Sequence, residues 1–317
     1  MTELLAPPLP APRAGTWAHP RQRPWQRPWR ERVASPRSYV LCPPTYFAVD
    51  YAINAWMDPS RPVDRDLAQA QWEAVRSAYV GLGHQVSEVA ALAGQPDMVF
   101  AANGGLVVDG RALAARFLHP ERRGEEAAHR VRLAAEGVVV TLPEHVNEGE
   151  GDFAVAGTRP GAAVLAGTGF RTSVAAHAEL ARAIGREVVT LRLVDPRLYH
   201  LDTALAVLDD TTVAVVPWAF DRSSLARVLA VFPDVIEVSA ADALVLGANA
   251  VSDGRHVVLE AAATRLADDL AARGFVPLGV DTSELRRAGG SVKCCTAERH
   301  HATASPPATA TVPSSWR

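Results

Sequence analysis

The sequence predicts an α/β fold built from a repeated unit, and three observations carry that reading. Short runs rich in valine and leucine alternate with longer stretches of helical spacing. A strand pair, a helix and a further strand follow one another several times over. An acidic residue leads the first strand of the pair four times, at Asp97, Asp152, Asp202 and Asp242. A unit recurring at roughly 40 to 55 residues suggests a closed, pseudo-symmetric α/β array. An ordinary α/β sheet whose units share a composition is the alternative.

Strands are expected at 39–42, 98–100, 105–108, 163–166, 212–216, 243–246 and 256–259. The spacing predicts a helix over 64–81, with Leu67, Trp72, Val75 and Tyr79 on one face. A second is expected over 173–185, with Val174, Leu180, Ala181 and Ile184. A third spans 261–273, with Leu266 and Leu270 inward and Gly274 as its stop. Pro196 and Pro217 fall outside these helices, where proline does no harm.

Three segments follow from composition. Residues 1–37 hold many prolines and arginines with little apolar periodicity and read as a disordered, mildly basic arm. Its arginine–tryptophan interleaving suits either an acidic partner or a solvated tail. Residues 38–299 read as a single domain, which the resemblance given below makes the catalytic one, and 300–317 read as a disordered polar tail.

The chain has 317 residues, 48% hydrophobic and 21% charged, enough for a sizeable core. A net charge of −3 gives no reason to expect a nucleic-acid partner. No charge-free apolar run reaches the roughly 18 residues a membrane span needs. Met1 to Pro12 has no apolar signal core. Three cysteines cannot make a disulfide framework, which fits a reducing cytoplasm. No Cys/His spacing matches a zinc signature, and His300 and His301 fall in the polar tail. No glycine loop follows a strand in the dinucleotide pattern, so no cofactor is expected. Oligomeric state is not readable, dimers being the common default.

The chemistry concentrates in a few places. Cys294 and Cys295 stand side by side after Gly289-Gly290, next to Lys293, and reactivity usually decides where a cysteine sits. A thiolate nucleophile needs a proton acceptor and a carboxylate, adjacent in space rather than in sequence. Tyr199-His200-Leu201-Asp202-Thr203 offers a histidine and a carboxylate two apart; on a strand they share a face, about 7 Å apart. Glu148-Gly149-Glu150-Gly151-Asp152 offers acids among glycines that let backbone and carboxylate approach a ligand closely. Taken alone, each signal also fits a structural role.

Their order adds to this. Asp97 to Asn103, His119 to Glu125, Glu148 to Asp152, Phe170 to Ser173, Tyr199 to Thr203 and Gly289 to Cys294 succeed one another over residues 38–299. In that succession the chain resembles the guanidino-group-modifying superfamily. This holds arginine deiminase, dimethylarginine dimethylaminohydrolase, arginine dihydrolase and the amidinotransferases. The resemblance implies the pentein fold, five strand-strand-helix-strand units around a pseudo-fivefold axis. It also implies roles. Cys294 would attack the guanidinium carbon, with Cys295 as the competing thiol, on the opposite side of the strand. His200 would protonate the departing amine and then deprotonate water. Glu148 would bind guanidinium nitrogens and support the histidine. Arg122 and Arg171 would hold the substrate carboxylate. Asp97, Asn103 and Asp202 would line the pocket, and Asn54 would belong to a mobile substrate loop, in which Ala55 replaces the usual proline. Cys42 reads as a small buried hydrophobe.

The implied activity is hydrolysis of arginine or a methylated arginine to citrulline through a covalent thiouronium intermediate. Two or three carboxylates would localise the delocalised guanidinium charge, and the cation would favour the thiolate. The alternative is a dihydrolase that continues to ornithine, because Asn103 stands where related enzymes carry an acid and an amide also holds a neutral ureido group. Amidinotransfer and a non-catalytic binding protein are the remaining readings.

Overall fold

The computed structural model describes residues 31–301. The bulk of the arm and of the polar tail, 1–30 and 302–317, lies outside the described residues.

One wiring recurs along the chain: an antiparallel strand pair, a helix, and a strand returning parallel to the second of the pair. β1 (Ser38–Leu41) leads through α1 (Arg65–Gly81) to its parallel neighbour β2 (Gln85–Glu88). β3 (Gly105–Val108) and β4 (Arg111–Ala114) form a hairpin, and α2 (Glu125–Ala135) leads to β5 (Val139–Thr141), parallel to β4. The hairpin turns on Asp109 and Gly110, both with positive φ (47° and 74°), the Asp-Gly pair that a tight primed turn prefers. β6 (Phe153–Val155), β7 (Val164–Thr168), α3 (Val174–Ile184) and β8 (Val188–Arg192) repeat the pattern. After the single turn α4 (Leu201–Ala204), so do β9 (Leu205–Val207), β10 (Thr212–Val215), α5 (Arg222–Val231) and β11 (Asp234–Glu237). After the single turn α6 (Ala240–Ala243), β12 (Val251–Ser252), β13 (His256–Glu260), α7 (Thr264–Ala271) and β14 (Val276–Val280) do likewise. β15 (Ala297–His300) pairs antiparallel with β1 and parallel with β3, joining the last strand to the first.

The helices follow their sequence signals closely. Asp64 caps α1 by accepting from the Leu67 N–H, and Ser173 caps α3 by accepting from Ala175. Gly185 closes α3 in the left-handed conformation. Trp72, Val75 and Tyr79 are buried on α1 as expected, and Leu266 and Leu270 on α7. Leu67 and Val174 are exposed instead, because both sit in first turns that project beyond the packed face.

Four expectations need correction. Residues 98–100 are not a strand: Pro96 starts a 3-10 turn over Pro96–Val99, its fixed φ and missing N–H suiting the first helical position. Residues 243–246 are not a strand either. Ser239 accepts from the Asp242 N–H and winds 240–243 into α6, and a short, wholly apolar run carries no period to tell the two apart. Residues 31–37 are not loose: Arg32 pairs with Asp209 and lies over the Phe275 ring, and Arg37 reaches Glu298 at 3.2 Å. His300, assigned to the tail, belongs to β15 and faces Glu150 at 3.3 Å.

Among the described residues, no helix is long and apolar enough to cross a membrane.

Candidate active site

The site residues occupy the segments that run into the first strand of each pair. Asn103 lies in the 3-10 turn Ala101–Gly104 before β3, and Glu148 precedes the turn Gly149–Gly151 that leads to β6. His200 caps α4 before β9, and Cys294 lies in the loop before β15. Direct contacts bring these segments together: the Asn103 amide reaches the Glu148 carbonyl at 3.4 Å, Glu148 meets His200 at 2.8 Å, and Cys294 touches Asp202, two residues beyond His200, at 3.0 Å.

Glu148 is the hub, with no solvent exposure. Its Oε2 accepts from Arg171 Nη1 at 2.9 Å and meets His200 Nε2 at 2.8 Å. Its Oε1 accepts from the Leu118 N–H at 3.3 Å. Burial works to raise this carboxyl, but Arg171 and the bond with His200 outweigh it and hold it far below the usual carboxylate range. Asp152, from the same motif, accepts from the Thr172 and Leu201 N–H groups and so fixes the turn that carries His200.

The glycines of this motif act differently from the expectation. A Cβ on Gly149 would lie 2.5 Å from the Gly105 nitrogen, and one on Gly151 would collide with the Asn103 amide. They let two protein segments close on each other rather than admit a ligand to the backbone.

Cys294 is buried, and its Sγ lies 3.0 Å from Asp202 Oδ2. Burial, then the Asp202 carboxylate, push this thiol well above its ordinary range. Burial likewise raises Asp202 to about 6. At rest the pair therefore favours a protonated sulfur. Cys295 packs in the apolar core, its thiol pushed up by burial and then by neighbouring Cys42. Lys293 does not serve the thiol: its ammonium bonds Glu150 Oε2 and the Thr296 carbonyl, both at 2.8 Å. His200 and Asp202 do not share a strand face. They sit on the turn of α4, which still carries both into the site.

Asp97 is buried, and its Oδ2 accepts from Tyr51 Oη at 3.0 Å. Burial raises it to about 6 against the pull of Arg122. Asp97 Oδ1, Asp202 Oδ1 and His200 Nδ1 are buried with no hydrogen-bond partner among the described residues. Such orphaned polar atoms are costly in a core and common where a polar ligand belongs.

Two expected binding residues are placed otherwise. Arg122 donates to both oxygens of Glu125 (2.7 and 2.8 Å), to Asn103 Oδ1 (2.7 Å) and to the Asp97 carbonyl (3.1 Å). Four of its five N–H groups are spent, so it braces Asn103 and Asp97 instead of offering a fork to a substrate carboxylate. Arg122→Ala is therefore expected to strand the fully buried Glu125 and cost about 3–5 kcal/mol in denaturant unfolding. Wild-type stability with only a raised KM would restore the carboxylate-binding role. Asn54 is pinned: its amide donates to the Ala288 carbonyl at 3.0 Å and accepts from Trp56 N at 2.9 Å. Arg171 donates to the neighbouring Ile53 carbonyl at 2.9 Å and stacks on Tyr199, with donors to spare.

Asn249, just before β12, was not among the expected residues. It is fully buried and touches Cys294 directly, its Nδ2 lying 3.1 Å from Sγ. Its place in the recurring wiring was the available signal, obscured by the apolar run at 243–246. Away from this site, Glu144, His145 and Glu179 bring potential ligand atoms within 4.8 Å of one another, although the Glu179 oxygens already accept the Glu144 and His145 N–H groups.

No protein-family model matches the chain. Over 269 residues, however, it is 52% identical to an N(G),N(G)-dimethylarginine dimethylaminohydrolase of Mycobacterium tuberculosis, covering 85% of this chain and 88% of that one. It is 36% identical over 264 residues to the bifunctional arginine dihydrolase/ornithine cyclodeaminase AgrE of Nostoc, covering 81% of this chain but only 37% of that larger protein. Among solved structures, the N-terminal domain of the cyanobacterial arginine dihydrolase ArgZ, a cysteine-to-serine variant bound to substrate, superposes with a TM-score of 0.79. That match is 32% identical and covers 84% and 98% of the two chains. A dimethylarginine dimethylaminohydrolase at 20% identity shares the fold, with a TM-score of 0.68 over 83% of this chain and all of that one. The chain thus has the mixed α/β fold of these pentein structures, and it belongs to the dimethylarginine dimethylaminohydrolase family of guanidino-modifying enzymes, hydrolases of C–N bonds in linear amidines.

Proposed function

We propose that this chain hydrolyses the guanidinium C–N bond of an N-omega-methylated arginine or of L-arginine, releasing citrulline with an amine or ammonia. The observation that carries this reading is the buried Cys294 thiol, in contact with Asp202, which stands two residues beyond the His200 of the His200–Glu148 pair. The orphaned oxygens of Asp97 and Asp202 suit a guanidinium, which has donors only. Its charge opposes the field that holds the thiol neutral, so substrate arrival favours the thiolate. As the thiol proton passes to His200, sulfur adds to the guanidinium carbon. The amine leaves with a proton from His200, giving a thiouronium. Water, deprotonated by His200, adds to that carbon, and the C–S bond breaks to release citrulline. Glu148 orients the imidazole and supports its charged form. Arg171, still holding unspent donors, takes the substrate carboxylate beside the Asn54 loop.

We further infer that the recurring sheets are five blades around a pseudo-fivefold axis, with β15, β1, α1 and β2 completing the fifth. A reducing cytoplasm suits an obligatory free thiol.

The second reading, a dihydrolase, is favoured by Asn103. Arg122 donates to Asn103 Oδ1, which fixes the amide orientation; one N–H of its NH2 reaches the Glu148 carbonyl at 3.4 Å, and the second is left for a ligand. That donor suits the ureido oxygen of citrulline better than a guanidinium. Purified protein is to be incubated separately with arginine, dimethylarginine and citrulline, and ornithine, citrulline, ammonia and dimethylamine measured. Citrulline and dimethylamine without ornithine is the expected result. Ornithine from arginine would replace the one-step reading with the dihydrolase.

A further inference from the structure

Asn249 occupies, before β12, the place that Asn103, Glu148, His200 and Cys294 occupy before β3, β6, β9 and β15. It makes more contacts with the nucleophile loop than its one bond to sulfur. Its Oδ1 accepts two backbone N–H groups, from Ser291 at 3.1 Å and Cys294 at 3.0 Å. Its Nδ2 donates to the Asp202 carbonyl at 3.0 Å and faces Cys294 Sγ at 3.1 Å. Its own carbonyl accepts from the Lys293 N–H at 3.2 Å.

These partners settle the orientation of an otherwise ambiguous amide. Two N–H groups point at one terminal atom, so that atom is the oxygen. A carbonyl faces the other terminal atom, so that atom is the nitrogen. The group against the sulfur is therefore an N–H donor. A donor fixed at contact distance from sulfur stabilises the anion more than the neutral thiol. Asp202 does the opposite: it accepts from the thiol and repels a thiolate. Asp202 and Cys295 act directly against the Cys294 thiolate, the Ser291 backbone N–H favours it, Tyr199 also faces the thiol, and His200, Lys293 and Asp152 act on Asp202.

We propose that Asn249 is a catalytic residue of this enzyme, the side-chain donor of a preformed hole that holds the Cys294 sulfur and selects its thiolate form. The bonds to Ser291 and Cys294 set where the sulfur lies, and the bond to the Asp202 carbonyl keeps the donor aimed. The proposal rests on the reading of Cys294 as the nucleophile.

Asn249→Asp tests it. The replacement is nearly isosteric, and one carboxylate oxygen still accepts the two backbone N–H groups. The other oxygen then faces the sulfur and the Asp202 carbonyl without a hydrogen to give. Iodoacetamide is neutral and unlike the substrate: sulfur forms the C–S bond, iodide leaves, and the thiol proton goes to solvent. Its rate against pH is measured on wild type and variant, with the labelled cysteine located by mass spectrometry and folding checked by the thermal midpoint. The midpoint for Cys294 should rise by about one pH unit or more, slowing labelling about tenfold at pH 8, and kcat should fall by about 10- to 100-fold. A folded variant whose Cys294 titrates as in wild type would overturn the proposal and leave Asn249 a structural brace. Because a carboxylate at 249 itself repels the thiolate, Asn249→Ser, which removes the amide donor without adding charge, is measured beside it, and a folded Asn249→Ser whose Cys294 midpoint stays at the wild-type value overturns the proposal whatever Asn249→Asp shows. If wild-type Cys294 is unreactive while Cys295 or Cys42 is labelled, the nucleophile assignment itself is wrong.

Discussion

Cys294→Ser is expected to lower turnover by about 10³-fold or more and to end labelling by a chloroacetamidine-type reagent, while Cys295→Ser keeps activity within about threefold. Neither exposure nor acidity separates the two thiols, because both are buried and both are pushed up by burial. Their partners separate them. Cys294 Sγ touches the Asp202 carboxylate and the Asn249 amide, groups that respond to an arriving cation or to a forming thiolate. Cys295 faces the apolar core that contains Tyr79 and Val292. A hydroxyl there loses packing and desolvation energy without touching the reaction. Cys295→Ser should therefore be less stable by about 1–3 kcal/mol in denaturant unfolding while remaining active. Citrulline release and the mass of the labelled protein read both effects. Equal loss of turnover in two folded variants would undo the choice of nucleophile.

Much of this arrangement was legible because sequence encodes it locally. Asp64 and Ser173 announce helix starts, Gly185 and Gly274 mark helix ends, and the strands at 105–108, 212–215 and 256–259 are β-branched runs between turn residues. The repeated acid was a real regularity with the wrong local geometry. Asp97, Asp202 and Asp242 sit on single helical turns ahead of the strands, and only Asp152 directly precedes one. A single turn is too short to show a period of 3.6, so apolar runs beside it pass for strands.

What stayed hidden was partner choice. The motif order brings Arg122 and Arg171 forward as equivalent forks. Only the fold reveals that Glu125, one turn further on, claims the first of them. Lys293 is adjacent to Cys294 in sequence, but its charge is paired with Glu150 at 2.8 Å. Asn249 lacks a motif of its own, and its importance comes from where four hydrogen bonds end. Residue type and spacing find the chemistry; which groups are already satisfied is a property of packing.

Glu148→Gln should be the most damaging change outside Cys294, lowering kcat by about 10²- to 10⁴-fold at neutral pH. The amide nearly preserves volume but cannot balance Arg171 and a protonated His200, which share Oε2 at 2.9 and 2.8 Å. Leaving Arg171 buried without its counter-charge should also cost about 3–5 kcal/mol of stability. The pH dependence follows from the direction of the shift. The folded carboxyl ionises far below its ordinary 4.5, so its contribution is complete above about pH 4.5 and is lost as pH falls toward the folded value. The stability gap between wild type and variant should hence be full at pH 7 and begin to close below about pH 4.5, as denaturant titrations at several pH values would record. A gap independent of acid would mean that shape rather than charge is what Glu148 supplies. A raised KM with kcat unchanged would assign it to binding alone and leave His200 without its orienting carboxylate.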